Sequence, residues 1–282
     1  MNKFFILLWL LVASSAYGQV KTPNVSPKAE VEQMIGLTEV EIEYYRPHAN
    51  GRKIFGDLIP FDELWRLGAN KNSTISFSTD VVFGGVNVNK GEYAIYAKPS
   101  KNNWTIYLYG ATDNWGLPRE WKEELVVLMI EVPVTKSKKY SSNLTFSFND
   151  LNILSGKLLI TWENTMVEIP IEVPTVKIAM ASIQEVMDSG NVSERDYYSA
   201  ASFYLEVDRN LEMALSYIEK AIQLNENEIP PYWYTRKQAV IAHKLGKIDL
   251  AIDAAEMSLK AAQESGNDTY IKLNEASLKE WR

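Results

Sequence analysis

The sequence predicts an antiparallel β-sandwich of jelly-roll type, followed by a run of α-helical hairpins. Three observations predict it. Between residues 39 and 173 apolar side chains recur at every second position, as on half-buried strands. After Pro174 they recur at the helical period. The punctuation changes at the same place, from close-set turns such as Gly84-Gly85 and Asn89-Lys90-Gly91 to the spaced glycines Gly190, Gly246 and Gly266. The domains expected are therefore residues 19–173 (β) and 174–282 (helical), behind a leader at 1–18.

The leader comes first. Lys3 supplies a positive start, residues 4–13 (FFILLWLLVA) are unbroken apolar, and Ala16 and Gly18 stand as the small residues of a cleavage site. Ten apolar residues are too few for a membrane-spanning helix, which needs roughly 20. The expectation is export to the periplasm or beyond, with cleavage between Gly18 and Gln19 and a mature chain that does not span the membrane. Removing Lys3 with the leader leaves 28 basic residues against 36 acidic, a net charge of −8. That balance, with basic residues clustered only at 136–139, speaks against nucleic acid as a partner.

Strands are predicted at 39–44, 74–79, 81–83, 86–88, 92–98, 104–109, 125–132, 143–149, 157–162 and 166–173. Pro170 marks the last as an edge strand, because proline cannot donate to a ladder. Trp104 faces the side opposite Tyr107 and Tyr109, so either both faces of that strand are covered or the tyrosines form a platform for sugar rings. Residues 60–66 (PFDELWR) read as a helical turn or two, stopped by Gly68.

Six helices follow, at 176–188, 194–206, 211–224, 231–245, 248–263 and 269–281. Ser193 with Asp196, Asn210 and Pro230-Pro231 supply start signals. Residues 210–224 (NLEMALSYIEKAIQL) are echoed by 247–261 (KIDLAIDAAEMSLKA), with Ala214 matching Ala251. This pair resembles tetratricopeptide repeats, whose helices close on small residues, although the aromatic positions match poorly. The resemblance implies a protein or peptide partner for the tail.

The stretch 46–70 (RPHANGRKIFGDLIPFDELWRLGAN) concentrates the candidate ligand-binding residues: Arg46, Arg52, Trp65, Arg66 and Asn70, with Trp115 from a later loop. Two uses are open. The guanidiniums and Asn70 could hold a small polar, anionic or sugar ligand between the two indoles. Alternatively, they could pair with Asp57, Glu63 or turn carbonyls and fasten a long connection. Arg46-Pro47, Gly51-Arg52, Ile54-Phe55-Gly56, Trp65-Arg66, Gly68-Ala69-Asn70, Gly91-Glu92-Tyr93, Trp115-Gly116 and Leu159-Ile160-Thr161-Trp162 occur in order. Carrying them, residues 24–173 resemble the family called domain of unknown function 2911. The resemblance implies an exported bacterial domain and assigns it no activity.

Catalytic constellations are sparse. The chain has no cysteine and only His48 and His243, so disulfides, thiolate chemistry and transition-metal sites are not expected. There is no phosphate-binding glycine loop, and no cofactor is called for. No catalytic residue can be named. Paired carboxylates for glycan hydrolysis remain an alternative, with Asp57 and Glu63 as candidates, and a purely structural subunit is a third.

Overall fold

The computed structural model describes residues 22–282; the leader and its cleavage site lie outside the described residues. Nine strands form one antiparallel sheet, and six helices follow. The strands are β1 (Lys28–Ile35), β2 (Thr38–Tyr45), β3 (Ser73–Phe77), β4 (Val81–Phe83), β5 (Val86–Val88), β6 (Gly91–Pro99), β7 (Asn103–Tyr109), β8 (Val126–Asn149) and β9 (Ser155–Glu172). Their order in the sheet is β1-β2-β3-β6-β7-β8-β9-β4-β5. The connectivity is therefore a meander, in which the β4–β5 hairpin leaves its place in the chain to pair with β9.

β8 makes two layers out of this one sheet. Residues 126–133 pair with β7, whereas residues 134–149 pair with β9, so β8 passes from one layer to the other. Register shifts between Lys136 and Ser141, and between Ser141 and Thr145, mark the bend. The inner faces enclose a core that includes Val40, Ile42, Tyr44, Ile75, Trp104, Ile106, Phe146, Ile160 and Trp162. The outer face is also covered in part. Trp121 stacks on Tyr109 at 4.6 Å, and Tyr96 is fully buried beside them. Coverage on both faces is thus why β7 carries aromatics on both sides.

Several expectations change. β1 was not predicted: its alternation is broken by Gln33, and it lies at an edge with one half-buried face. The pairs of strands read at 125–132 with 143–149, and at 157–162 with 166–173, are each one long strand. Pro170 does not mark an edge, because β9 lies between β8 and β4. It is tolerated because the β8 partner ends at Val167, so its missing N–H falls where β8 has already turned toward β7, while its carbonyl accepts from Gly84 N. Residues 60–66 are not helical: Asp62 N donates to Pro99 O at 2.8 Å and Trp65 pairs with Ala97. Competition from the free edge of β6 defeats the local helical signal.

The helices are α1 (Thr175–Asp188), α2 (Glu194–Glu206), α3 (Leu211–Leu224), α4 (Tyr232–Lys244), α5 (Ile248–Glu264) and α6 (Asp268–Trp281), within a residue or so of expectation. Ser193 and Asp196 form a reciprocal capping box at the start of α2. Asn210 instead takes a left-handed conformation with no side-chain cap. The matched alanines Ala214 and Ala251, and Ala221 and Ala255 after them, are fully buried where helices close on one another. α1 starts directly after the sandwich and is wedged against it: a Cβ on Gly36 would run into Thr175 Oγ1 and the Ile153 carbonyl.

Candidate functional site

Segment 46–70 runs from β2 to β3 along two free edges. Beyond β2 the chain pairs with β8, with Leu144 N donating to Pro47 O at 3.1 Å and Ala49 N to Ser142 O at 2.8 Å. Arg46 reinforces this seam: its Nε donates to Leu144 O at 3.1 Å and its Nη2 to Thr145 Oγ1 at 2.8 Å. Arg52 folds back on its own turn, donating to Ala49 O at 3.0 Å and His48 O at 2.7 Å. Both guanidiniums thus take turn and strand acceptors, and Asp57 and Glu63 stay exposed.

Trp65 occupies a different place from a cleft wall. It exchanges two backbone hydrogen bonds with Ala97, at 2.7 and 2.8 Å, and its indole lies inside the sandwich at 5% exposure. There it stacks on Trp162 at 5.9 Å and meets Phe55 and Trp104 edge-on. The physical reason is register: pairing with β6 turns the largest apolar side chain of the segment inward. The next residues hold a tight turn around it. Trp65 Nε1 donates to Gly68 O, and Leu67 and Asn70 adopt φ of 52° and 57°. Gly68 leaves little room for a side chain, since a Cβ would stand 3.0 Å from Tyr45 O and from Ser73 Oγ. The Trp-Arg-x-Gly-Ala-Asn motif is in large part the covalent recipe for this turn.

Arg66 is the exception within it. Its guanidinium is half-buried, its Nε is enclosed, and among the described residues it has no hydrogen bond and no ion pair. Burial lowers its pKa from the ordinary arginine value, with no nearby carboxylate to offset the cost, and arginine remains charged regardless. The turn closes as Ser73 N donates to Arg66 O, which sets Asn72 beside it. Asn72 is 3% exposed; its Nδ2 donates to Ser73 O, whereas its Oδ1 is enclosed without a partner. Asn72 N also donates to Asn114 O at 3.0 Å, which ties the turn to the loop carrying Trp115, an indole 76% exposed. The structure therefore brings the Arg66–Asn72 turn and the Trp115 loop together, with Asn70 half-buried in that turn. Arg46 and Arg52 donate to strand and turn acceptors, and Trp65 lies in the core. Sequence reading passed over Asn72.

Carboxylates form a separate feature. On the outer face of β1 and β2, Glu30 stands opposite Glu43, and Glu32 opposite Glu41. Burial, then a hydrogen bond to Glu30, raises the Glu41 pKa above the usual carboxylate range. No group of three or more His, Asp or Glu among the described residues is arranged to hold a metal ion.

A cavity lies elsewhere, at the seam between sandwich and helices. It measures about 560 Å³ and is bounded by Gly36, Leu37, Ile153, α1, one side of α2, and Lys237 of α4. No sequence signal announced it, because its walls come from five separate segments.

No helix among the described residues is long and apolar enough to cross a membrane. No curated protein matches this chain. A family model described as protein of unknown function (DUF2911) matches residues 26–171, which takes in β1 to β8, the Arg66 turn, the Trp115 loop and all of β9 but Glu172. The chain belongs to the DUF2911 family.

Proposed function

We propose that this is an exported, non-catalytic binding protein whose β unit holds a saccharide bearing an acidic group at Arg66. The observation that carries the reading is the half-buried Arg66 guanidinium, which lacks any acceptor among the described residues. A charge in that position is costly to the empty protein and is relieved by an anionic acceptor. Of the guanidinium nitrogens only Nε is enclosed, so Nη1 and Nη2 are the groups that meet an anionic acceptor. The exposed Trp115 indole offers the flat apolar face on which sugar rings stack. The helical tail, read as tetratricopeptide-like, is assigned a protein or peptide partner on the strength of its repeat and its buried alanines.

Calorimetric titration with a uronic-acid oligosaccharide and a neutral one of equal length tests this. The acidic sugar should bind; Arg66→Gln and Trp115→Ala should each weaken it about tenfold or more, and Arg52→Gln should leave it unchanged. Absence of binding, or equal binding by Arg66→Gln, would overturn the reading. A second reading, a carboxylate-dependent glycan hydrolase, draws on Glu41, whose raised pKa suits a general acid. It requires glycan cleavage that Glu41→Gln abolishes.

A further inference from the structure

The seam cavity has the features of a second ligand site. Its long wall is α1, in which Thr175 alone is fully buried among fourteen residues. Ala179, Ile183, Val186 and Met187 of that helix face the cavity, opposite Ala200 and Phe203 of α2. α1 and α2 touch, with Met180 and Ile183 packed on the helical core, but they close on each other less fully than the later helices do and leave part of the α1 face on the cavity. The part of an apolar helix face left uncovered in this way gains by burial against an apolar body.

The lining is mainly apolar, and some of its polar groups are unsatisfied. Thr175 Oγ1, on a residue 3% exposed, and Ser202 Oγ are both enclosed without a hydrogen-bond partner. Lys237 is the cation of the lining, half-buried, with no ion pair among the described residues and its ammonium 5.9 Å from the Tyr198 ring centre. Burial lowers its pKa, while the charge of Glu206 acts in the opposite direction. Two carboxylates also line the cavity. Asp196 is already engaged by Ser193 N and Oγ at 2.9 and 2.6 Å, and Glu206 is exposed at the rim.

We infer that the seam binds a single-chain amphiphile with a carboxylate head, its chain between α1 and α2 and its head at Lys237. Charge complementarity selects the head, since the half-buried ammonium is the group most in need of a partner. The scarcity of polar atoms argues for an alkyl chain over a peptide, whose repeated backbone groups would go unpaired along these walls. The lining on α2 runs from Asp196 to Glu206, ~15 Å of helix, enough for an extended chain. Because the walls come from both the sandwich and the helices, such a ligand would also brace the two against each other.

The test is calorimetry on the full chain with dodecanoate, dodecanol and dodecylammonium, each below its micellisation concentration. Dodecanoate should bind with one-to-one stoichiometry, about tenfold or more tighter than dodecanol, and Lys237→Met should erase that difference. Ser182→Trp, on the exposed flank of the cavity, should block all three while the far-ultraviolet spectrum stays unchanged. Equal affinity for acid and alcohol, preference for the ammonium, undiminished binding by Ser182→Trp, or no binding would each overturn the inference.

Discussion

Tyr44 and Phe146 are 102 residues apart and meet twice: the Phe146 N–H donates to the Tyr44 hydroxyl at 3.2 Å, and their rings stand edge-on at 4.5 Å. The contact joins β2 to the far half of β8, strands that the sheet order separates by three others. It is what folding one sheet into two layers looks like at the level of side chains. Tyr44→Phe keeps the ring contact and leaves a buried N–H unpaired, which costs about 1–3 kcal/mol. Denaturant unfolding should show that loss with an unchanged denaturant slope; a midpoint equal to the parent would mean the N–H finds water.

Gly36 should be the most sensitive position at the junction. It has φ of 56°, and a methyl group there meets Thr175 and the Ile153 carbonyl. Gly36→Ala is expected to cost about 1–3 kcal/mol and to free α1 from the sandwich. Limited proteolysis should then cut near residues 174–175 sooner than in the parent. Unchanged resistance would show that α1 is held mainly by its own helical neighbours.

The Glu41 region should respond to pH in a defined direction. A carboxylate whose folded pKa is raised favours the folded state below the ordinary value of 4.5 and opposes it once both states are ionised. Glu41→Gln should therefore raise stability at neutral pH by a few tenths of a kcal/mol, the range for like charges placed across strands. The gain should vanish as pH falls below that value. A gain that persists in acid would exclude the charge repulsion as its source.

Alkali should act through buried phenols. Burial pushes Tyr96 up to about 12, and Tyr44 and Tyr107 upward for the same reason. The folded state then holds these protons more tightly. Stability is intact below the ordinary tyrosine value of 10.0 and falls as pH rises from there toward 12. Tyrosinate absorbance should develop together with the loss of β structure, and Tyr96→Phe should make the alkaline decline shallower. Ionisation of every tyrosine near 10 in a chain that stays folded would contradict this.

Much of the fold was legible because its signals are local. The helices followed from period, from Ser193 with Asp196, and from glycines such as Gly246, which takes φ of 74° at the end of α4. Strands on two-sided cores such as β7 followed from alternation. What stayed hidden depends on pairing between distant segments. Nothing near Pro60 says that β6 has an edge free to capture Trp65, and nothing near Ser137 says that β8 runs on without a turn. The candidate site divides in the same way. The concentration of arginines was visible, but only the register separates Arg46 and Arg52, which hold carbonyls, from Arg66, which holds nothing. Asn72 and Lys237 carry no sequence mark at all, because their significance lies in what fails to surround them.

Arg66 gives the most direct measurement. Its guanidinium is half-buried and unpartnered among the described residues, so replacing it removes a cost and no bond. Arg46, by contrast, donates to Leu144 O and Thr145 Oγ1, and Arg46→Gln should cost about 1.5–3 kcal/mol. The decisive comparison is denaturant unfolding of Arg66→Gln and Arg46→Gln in parallel, without ligand. The account predicts that Arg66→Gln unfolds at or slightly above the parent midpoint while Arg46→Gln falls well below it. A loss in Arg66→Gln as large as that in Arg46→Gln would contradict it and make Arg66 a fastening of the turn.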